Sequence, residues 1–190
     1  MPIAIVISSL TAFQLVLAFA FQLVILKVFG ISSDLDIYFA STTINIVFVG
    51  IASGVINFAL TPVFIKLNDK SRDKQCAELS SSFLNIMVLV FSLMAALQVL
   101  FADSIVSTLF PGFVGVEKNL LSSLFSIQAI ISVIIVAIGV LNALNYAQNK
   151  LYRTILGPIL AVLLQSLFVY FTHQEYGIYS VVWALGLSQI

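Results

Sequence analysis

Long apolar runs separated by short polar clusters set the pattern of this chain. Ile3 to Gly30 carries one charge, Lys27, near its end, and Ile37 to Ile65, Phe83 to Phe101, Leu120 to Leu144 and Thr154 to Phe171 carry none. A helix needs about 20 apolar residues to cross the hydrocarbon core of a bilayer, whereas a barrel strand needs only about 9–11. Runs of this length therefore predict helices. We expect an all-α polytopic transmembrane bundle over 1–190, with helices at about 3–30, 37–65, 83–101, 120–144 and 154–171 and the beginning of another at 178–190. Pro2 suits a first helical position, where its missing N–H is not needed, and Gly30 suits a helix end. The first run lacks the basic start of a signal peptide and is too long for its apolar core. The stretch 102–119 is broken by Pro111-Gly112 and reads as a loop with a short interfacial helix before the turn.

Charge adds an orientation. Lys66, Lys70, Arg72 and Lys74 fall in the loop 66–79, and Lys150 and Arg153 in the loop 145–153. These two loops lie on one side of the predicted bundle. The positive-inside rule puts that side, and the N-terminus with it, in the cytoplasm. Tyr146, Tyr152, Tyr176 and Tyr179 fall at predicted helix ends, the depth of interfacial aromatics.

Composition then excludes several classes. The chain has 190 residues, of which 61% are hydrophobic and 8% charged, with equal numbers of each sign; a soluble domain carries about 25% charged residues. A nucleic-acid binder would need a basic excess. A single cysteine, Cys76, and a single histidine, His173, leave no disulfide framework and no His or Cys metal cluster. No Walker motif is present. We expect no enzyme, no cofactor, no metal and no nucleic-acid partner.

Within the spans the polar signal comes from amides, hydroxyls and glycines. On a helical wheel of the second span, Thr42, Thr43, Gly50, Ser53, Gly54, Asn57 and Thr61 fall within about 120° of arc. Asn45 is the main polar residue elsewhere on that helix. Close helix packing through the Gly50/Gly54 pair is the simpler reading, and a cavity wall for a polar substrate is the functional one. Ser8, Thr11, Gln14 and Gln22 make a weaker stripe on the first span. Gln128 and Gln165 read as interhelical hydrogen-bonding amides, Asn142 and Asn145 as solvated capping residues. Asp36 reads as the N-cap of the second helix, and His173 and Glu175 as solvated loop residues.

Two stretches resemble a known family: FGISSDLDIYFASTTINIVFVGIASGVINFALTPVFIKLNDK at 29–70, and PGF at 111–113 followed by GVLNALNYAQNKLYRTILGPIL at 139–160. The order of Phe29-Gly30, Asp36, Tyr38-Phe39, Gly54, Phe58 and Pro62-Val63-Phe64, then Leu144-Asn145, Lys150 and Pro158 opening the next helix, is similar to the N-terminal half of the MurJ/MviN lipid II flippases. These belong to the multidrug/oligosaccharidyl-lipid/polysaccharide (MOP) exporter superfamily. The resemblance implies the N-terminal lobe of a two-lobe alternating-access transporter. It also implies that the chain is a fragment whose cavity needs a C-terminal half.

The family's cavity arginines on the first two helices are replaced here by apolar residues or amides near Gln14 and Gln22, and by Val49, Gly50 and Ser53. Lys27 keeps the basic residue before Phe-Gly. Expected cavity contacts are Gln14, Gln22, Asp36, Ser53 and Asn57, with Lys27, Lys150 and Arg153 as rim cations. The expected partners are membrane lipid and a polyprenyl-linked glycan, either peptidoglycan lipid II or a capsule or exopolysaccharide precursor. The expected place is the bacterial inner membrane. A MOP-type small-molecule antiporter and a truncated, non-transporting membrane protein are the alternatives. An antiporter calls for an intramembrane carboxylate, which these spans lack.

Overall fold

The computed structural model describes residues 3–69, 73–148 and 151–189, with side chains at 5–67, 75, 77–148 and 154–189. Among the described residues the fold is entirely helical: α1 (Ile3–Phe29), α2 (Ser33–Val55), a π-helical turn (Ile56–Leu60), α3 (Thr61–Asp69), α4 (Asp73–Leu100), α5 (Ala102–Leu109), α6 (Val116–Ala147), α7 (Leu151–Tyr176) and α8 (Tyr179–Leu187). Five stretches are long and apolar enough to cross a membrane: Ile5–Phe29, Ser33–Leu67, Ala77–Leu100, Val116–Ala147 and Thr154–Tyr176. The chain is a multi-pass membrane protein.

The helices outrun the apolar runs that predict them. α4 begins at Asp73, about ten residues before the expected 83, and α7 continues past Phe171 to Tyr176. Lys, Gln, Glu and Ala are good helix formers, so helix continues where hydropathy stops. His173 and Glu175 accordingly lie in the last turn of α7 and not in a loop, and Asn142 and Asn145 lie inside α6, whose C-cap is Gln148. Pro158 does not open α7 but sits inside it; membrane helices tolerate such a proline because neighbouring groups re-satisfy the ladder.

The expected ends at Gly30 and around Pro111 are present. Gly30 has φ 64° and donates from its N–H to the Leu26 carbonyl at 2.9 Å, a left-handed helix terminus. The short helix α5 precedes the Pro111-Gly112 turn. Ser32, not Asp36, caps α2: its Oγ lies 3.4 Å from the Leu35 N–H. Asp36 is exposed in the first turns beyond the cap, where a carboxylate suits the helix dipole.

The chain divides into two compact units, Met1–Leu35 with Lys150–Ile190, and Asp36–Asn149. In the first, α7 packs against both α1 and α8. In the second, α6 is the central post, with α4, α5, α3 and the π turn against it. Ala52, Ile56, Leu60 and Phe64 from the α2–α3 column meet Met87 and Phe91 of α4 and Val136, Val140 and Ala143 of α6 in one core.

A candidate polar wall on the second membrane helix

Burial divides α2 into two sides. Tyr38, Ser41, Asn45 and Ala52 are buried, as are Ile56, Leu60 and Phe64 beyond it. On a straight wheel the first five of these cluster at about 260–320°, opposite the small polar stripe centred near 60°. Thr43, Gly50, Ser53 and Asn57 are exposed and Gly54 is half-buried. A Cβ at Gly50 or Gly54 would meet nothing within 4 Å. The two glycines therefore do not mediate close helix packing among the described residues.

The close approach lies elsewhere. A Cβ at Gly139 of α6 would come 3.0 Å from the Ile56 Cδ1. Gly139 carries no signal of this in the sequence, because a lone glycine in an apolar run has no pattern.

The π turn keeps the two sides of the column distinct. On an unbroken α-helical wheel Phe64 would fall at about 40°, on the polar stripe. One extra residue in the turn sets everything beyond it back by about 100°, to about 300° and into the buried arc. Phe64 is accordingly 0% exposed, while Phe58 within the turn is 88% exposed. Thr61 closes the turn: its Oγ1 donates to the Ile56 carbonyl at 3.1 Å, and its backbone N–H donates to the same oxygen.

Behind the wall, the buried side is fixed by an amide network. Gln128 of α6 donates from Nε2 to Ser41 Oγ at 3.0 Å and to Thr42 Oγ1 at 3.1 Å. Asn45 Nδ2 donates to Gln128 Oε1 at 3.3 Å and to the Ser41 carbonyl at 3.1 Å. Gln128 is thus the interhelical amide that its position predicts, and Gln165 is another, donating to Ser188 Oγ at 2.7 Å. Gln98 of α4 is buried, and its Oε1 has no hydrogen-bond partner among the described residues; one amide in an apolar span carries no signal of its orientation.

Of the expected contacts, Ser53 and Asn57 share the exposed side of the α2 column. Asp36 is exposed near the other end of α2, in the same unit. Gln14, Gln22 and Lys27 belong to α1 in the other unit, Gln14 half-buried and the other two exposed. Lys150 lies outside the described residues. Arg153 lies in α7, its side chain outside them too.

Comparison with known proteins agrees with this architecture. The chain is 26% identical over 194 residues to a probable lipid II flippase MurJ of Buchnera aphidicola subsp. Baizongia pistaciae, covering 97% of this chain and 37% of the relative. It is 27% identical over 147 residues to the protein of the same description from Buchnera aphidicola subsp. Acyrthosiphon pisum, covering 74% of this chain and 29% of the relative. It shares its fold with a solved lipid II flippase MurJ in an inward closed conformation, with a TM-score of 0.76 and 22% identity over 98% of this chain and 40% of the other. The chain thus spans well under half the length of these relatives. A family model described as lipid II flippase MurJ matches residues 25–189, and the chain belongs to that family.

Proposed function

We propose that the chain forms one lobe of a bacterial inner-membrane flippase that moves a polyprenyl-linked saccharide by alternating access. One observation carries this reading: the small, polar side of α2 is turned away from the core of its own unit and stays exposed. A sugar head group crossing hydrocarbon loses its hydrogen bonds to water, at a cost of several kcal/mol for each unsatisfied group. The hydroxyl of Ser53 and the amide of Asn57 would replace them along a hydrated crevice, and Gly50 and Gly54 would leave room for the head group. The polyprenyl tail would remain in lipid. Gln14, Gln22 and Asp36 would extend the polar lining, and Lys27, Lys150 and Arg153 would supply cations at its rims.

The work in this scheme is positioning and shielding, with no covalent step and hence no catalytic residue. The driving energy would come from ion gradients or membrane potential. The saccharide would be peptidoglycan lipid II or a related capsule or exopolysaccharide precursor. The counterpart of the relatives' unmatched length would supply the second wall.

The test replaces Ser53 and Asn57 by leucine in a full-length transporter and measures lipid-linked glycan reaching the outer leaflet. Transport should fall on the order of tenfold for the pair, as expected when hydrogen bonds worth about 1–2 kcal/mol are lost. Ile51→Leu, on a different exposed face, should leave it unchanged. Normal export by a Gln22→Leu/Asn57→Leu variant would remove the wall from the mechanism.

A further inference from the structure

In the first unit, the C-terminal ends of α1 and α7 border a cleft of about 620 Å³. Val24, Lys27 and Val28 line it from α1, and Tyr170, His173 and Gln174 from α7. Both basic groups sit in the last turns of their helices, where the partial negative charge of the helix end favours a cation.

His173 is held in one orientation. Its Nδ1 lies 2.8 Å from the Tyr170 carbonyl oxygen and 3.2 Å from that of Val169. A carbonyl only accepts, so Nδ1 carries the proton and Nε2 is the ring nitrogen left for a ligand. Gln174 brings an amide donor. Among the described residues no carboxylate lines the cleft. Asp34 and Glu175, the acids closest in sequence, are both exposed.

The cleft is also amphipathic. Val24 and Val28 give it an apolar floor, and the rings of Tyr170 and Phe171 beside it are largely exposed on a membrane-crossing helix. A lysine, an imidazole, an amide and an aromatic ring at the end of such a helix lie at head-group depth. An anion bound there would have hydrocarbon on one side and water on the other.

We propose that this cleft binds the phosphate of a membrane amphiphile. Lys27 holds the anion, Gln174 donates to it, His173 in its imidazolium form donates from Nε2–H, and the chain of the amphiphile lies along Val24, Val28 and Phe171. The same chemistry is offered by the head group of an anionic phospholipid and by a polyprenyl diphosphate. The proposal does not rest on transport, so its failure would leave the polar wall of α2 untouched.

The test uses the full chain in detergent, incubated separately with phosphatidylglycerol, phosphatidylcholine, a polyprenyl diphosphate or inorganic pyrophosphate. Native mass spectrometry counts the retained molecules. The unsubstituted chain should retain the two anionic lipids above phosphatidylcholine. Lys27→Gln/His173→Gln should lower that retention about tenfold or more. Lys118→Gln, a cation of the other unit, should not change it, and Lys27→Arg/His173→Lys should restore it, which separates lost binding from lost folding. Preference for the polyprenyl diphosphate would identify the carrier lipid as the occupant, and preference for phosphatidylglycerol an ordinary phospholipid; either supports the site. Equal retention of anionic and zwitterionic lipid, equal binding of tail-free pyrophosphate, or full retention by the Gln/Gln variant would overturn it.

Discussion

Gln128 and Gln98 are the same residue type on adjacent helices, and they are predicted to respond to leucine with opposite signs. Gln128 satisfies both ends of its amide, giving to Ser41 and Thr42 and accepting from Asn45. Gln128→Leu removes three interhelical hydrogen bonds of a class that averages about 0.6 and reaches about 1.7 kcal/mol in membrane proteins. The unfolding temperature in detergent should fall by several degrees. Gln98 is buried, with Oε1 unpartnered among the described residues, so Gln98→Leu removes a desolvated acceptor that costs about 1–3 kcal/mol. Its unfolding temperature should hold or rise. Circular dichroism melts of the two variants side by side check the contrast, and a fall for both would show that Gln98 is also a bonded bridge. At Gly139, Ala must displace Ile56 Cδ1, the mobile tip of a side chain 3.0 Å away, and should cost little. Leu at the same place cannot be accommodated and should cost about 1–3 kcal/mol by overpacking. The presence of polar residues in these spans is plain from the sequence, and their period shows which share a face. What the period does not show is which face meets a partner. That depends on where α6 places Gln128 and Gly139, a matter of tertiary packing.

The α2–α3 column carries its own device, and here the sequence reading fails for a definable reason. A wheel of constant pitch puts the polar residues of α2 in register but also brings Phe64 onto their side. The extra residue of the π turn at Ile56–Leu60 moves Phe64 into the core beside Leu60. A π turn has no sequence signature comparable to a capping box or a Pro-Gly turn, so constant pitch is the default, and it breaks at this point. The consequence is testable by deletion. Removing Phe58, exposed within the turn, converts the column to plain α-helix and leaves Leu60 and Phe64 facing the core as before. Removing Ile46, equally on an exposed side but in regular helix, turns everything beyond it by about 100° and takes Ala52 and Ile56 off the core. The Phe58 deletion should fold, with far-UV helicity and unfolding temperature close to those of the intact chain; the Ile46 deletion should not. Two deletions of equal effect would show that the π turn does not hold the phase. The helix termini were legible to different degrees on the same principle. Gly30 has a backbone requirement that the residue itself announces. The start of α4 at Asp73 does not follow from hydropathy, because hydropathy measures membrane thickness and the helix runs on through polar residues into water.

Across the whole molecule the remaining expectation is orientation, and it follows from charge and span count together. Five membrane-crossing helices should alternate the sides of their connections, so the basic stretches 66–79 and 145–153 are expected on one side and the connections near Gly30, Pro111-Gly112 and Gly177 on the other. The first side carries Lys66, Lys70, Arg72, Lys74, Lys150 and Arg153, the other only Lys27 and Lys118. By the positive-inside rule a bias of this size is expected to put the basic side in the cytoplasm. Cys76 is the chain's one native thiol, so Cys76→Ser gives a blank background for single cysteines. Substituting cysteine for Lys66 or Gln148 should give sites that an impermeant maleimide reaches only after the inner membrane of spheroplasts is opened. Cysteine at Gly112 or Gln174 should be labelled in intact spheroplasts. Because Gln174 lines the cleft that Lys27 and His173 share, the same experiment assigns that cleft to a leaflet. The lipid phosphate that Lys27 and His173 bind should then be drawn from the outer leaflet, and anionic lipid added from outside should slow labelling at position 174 but not at 112. Labelling of positions 66 and 112 from the same side would require an even number of crossings between them and would break the alternation on which the orientation depends.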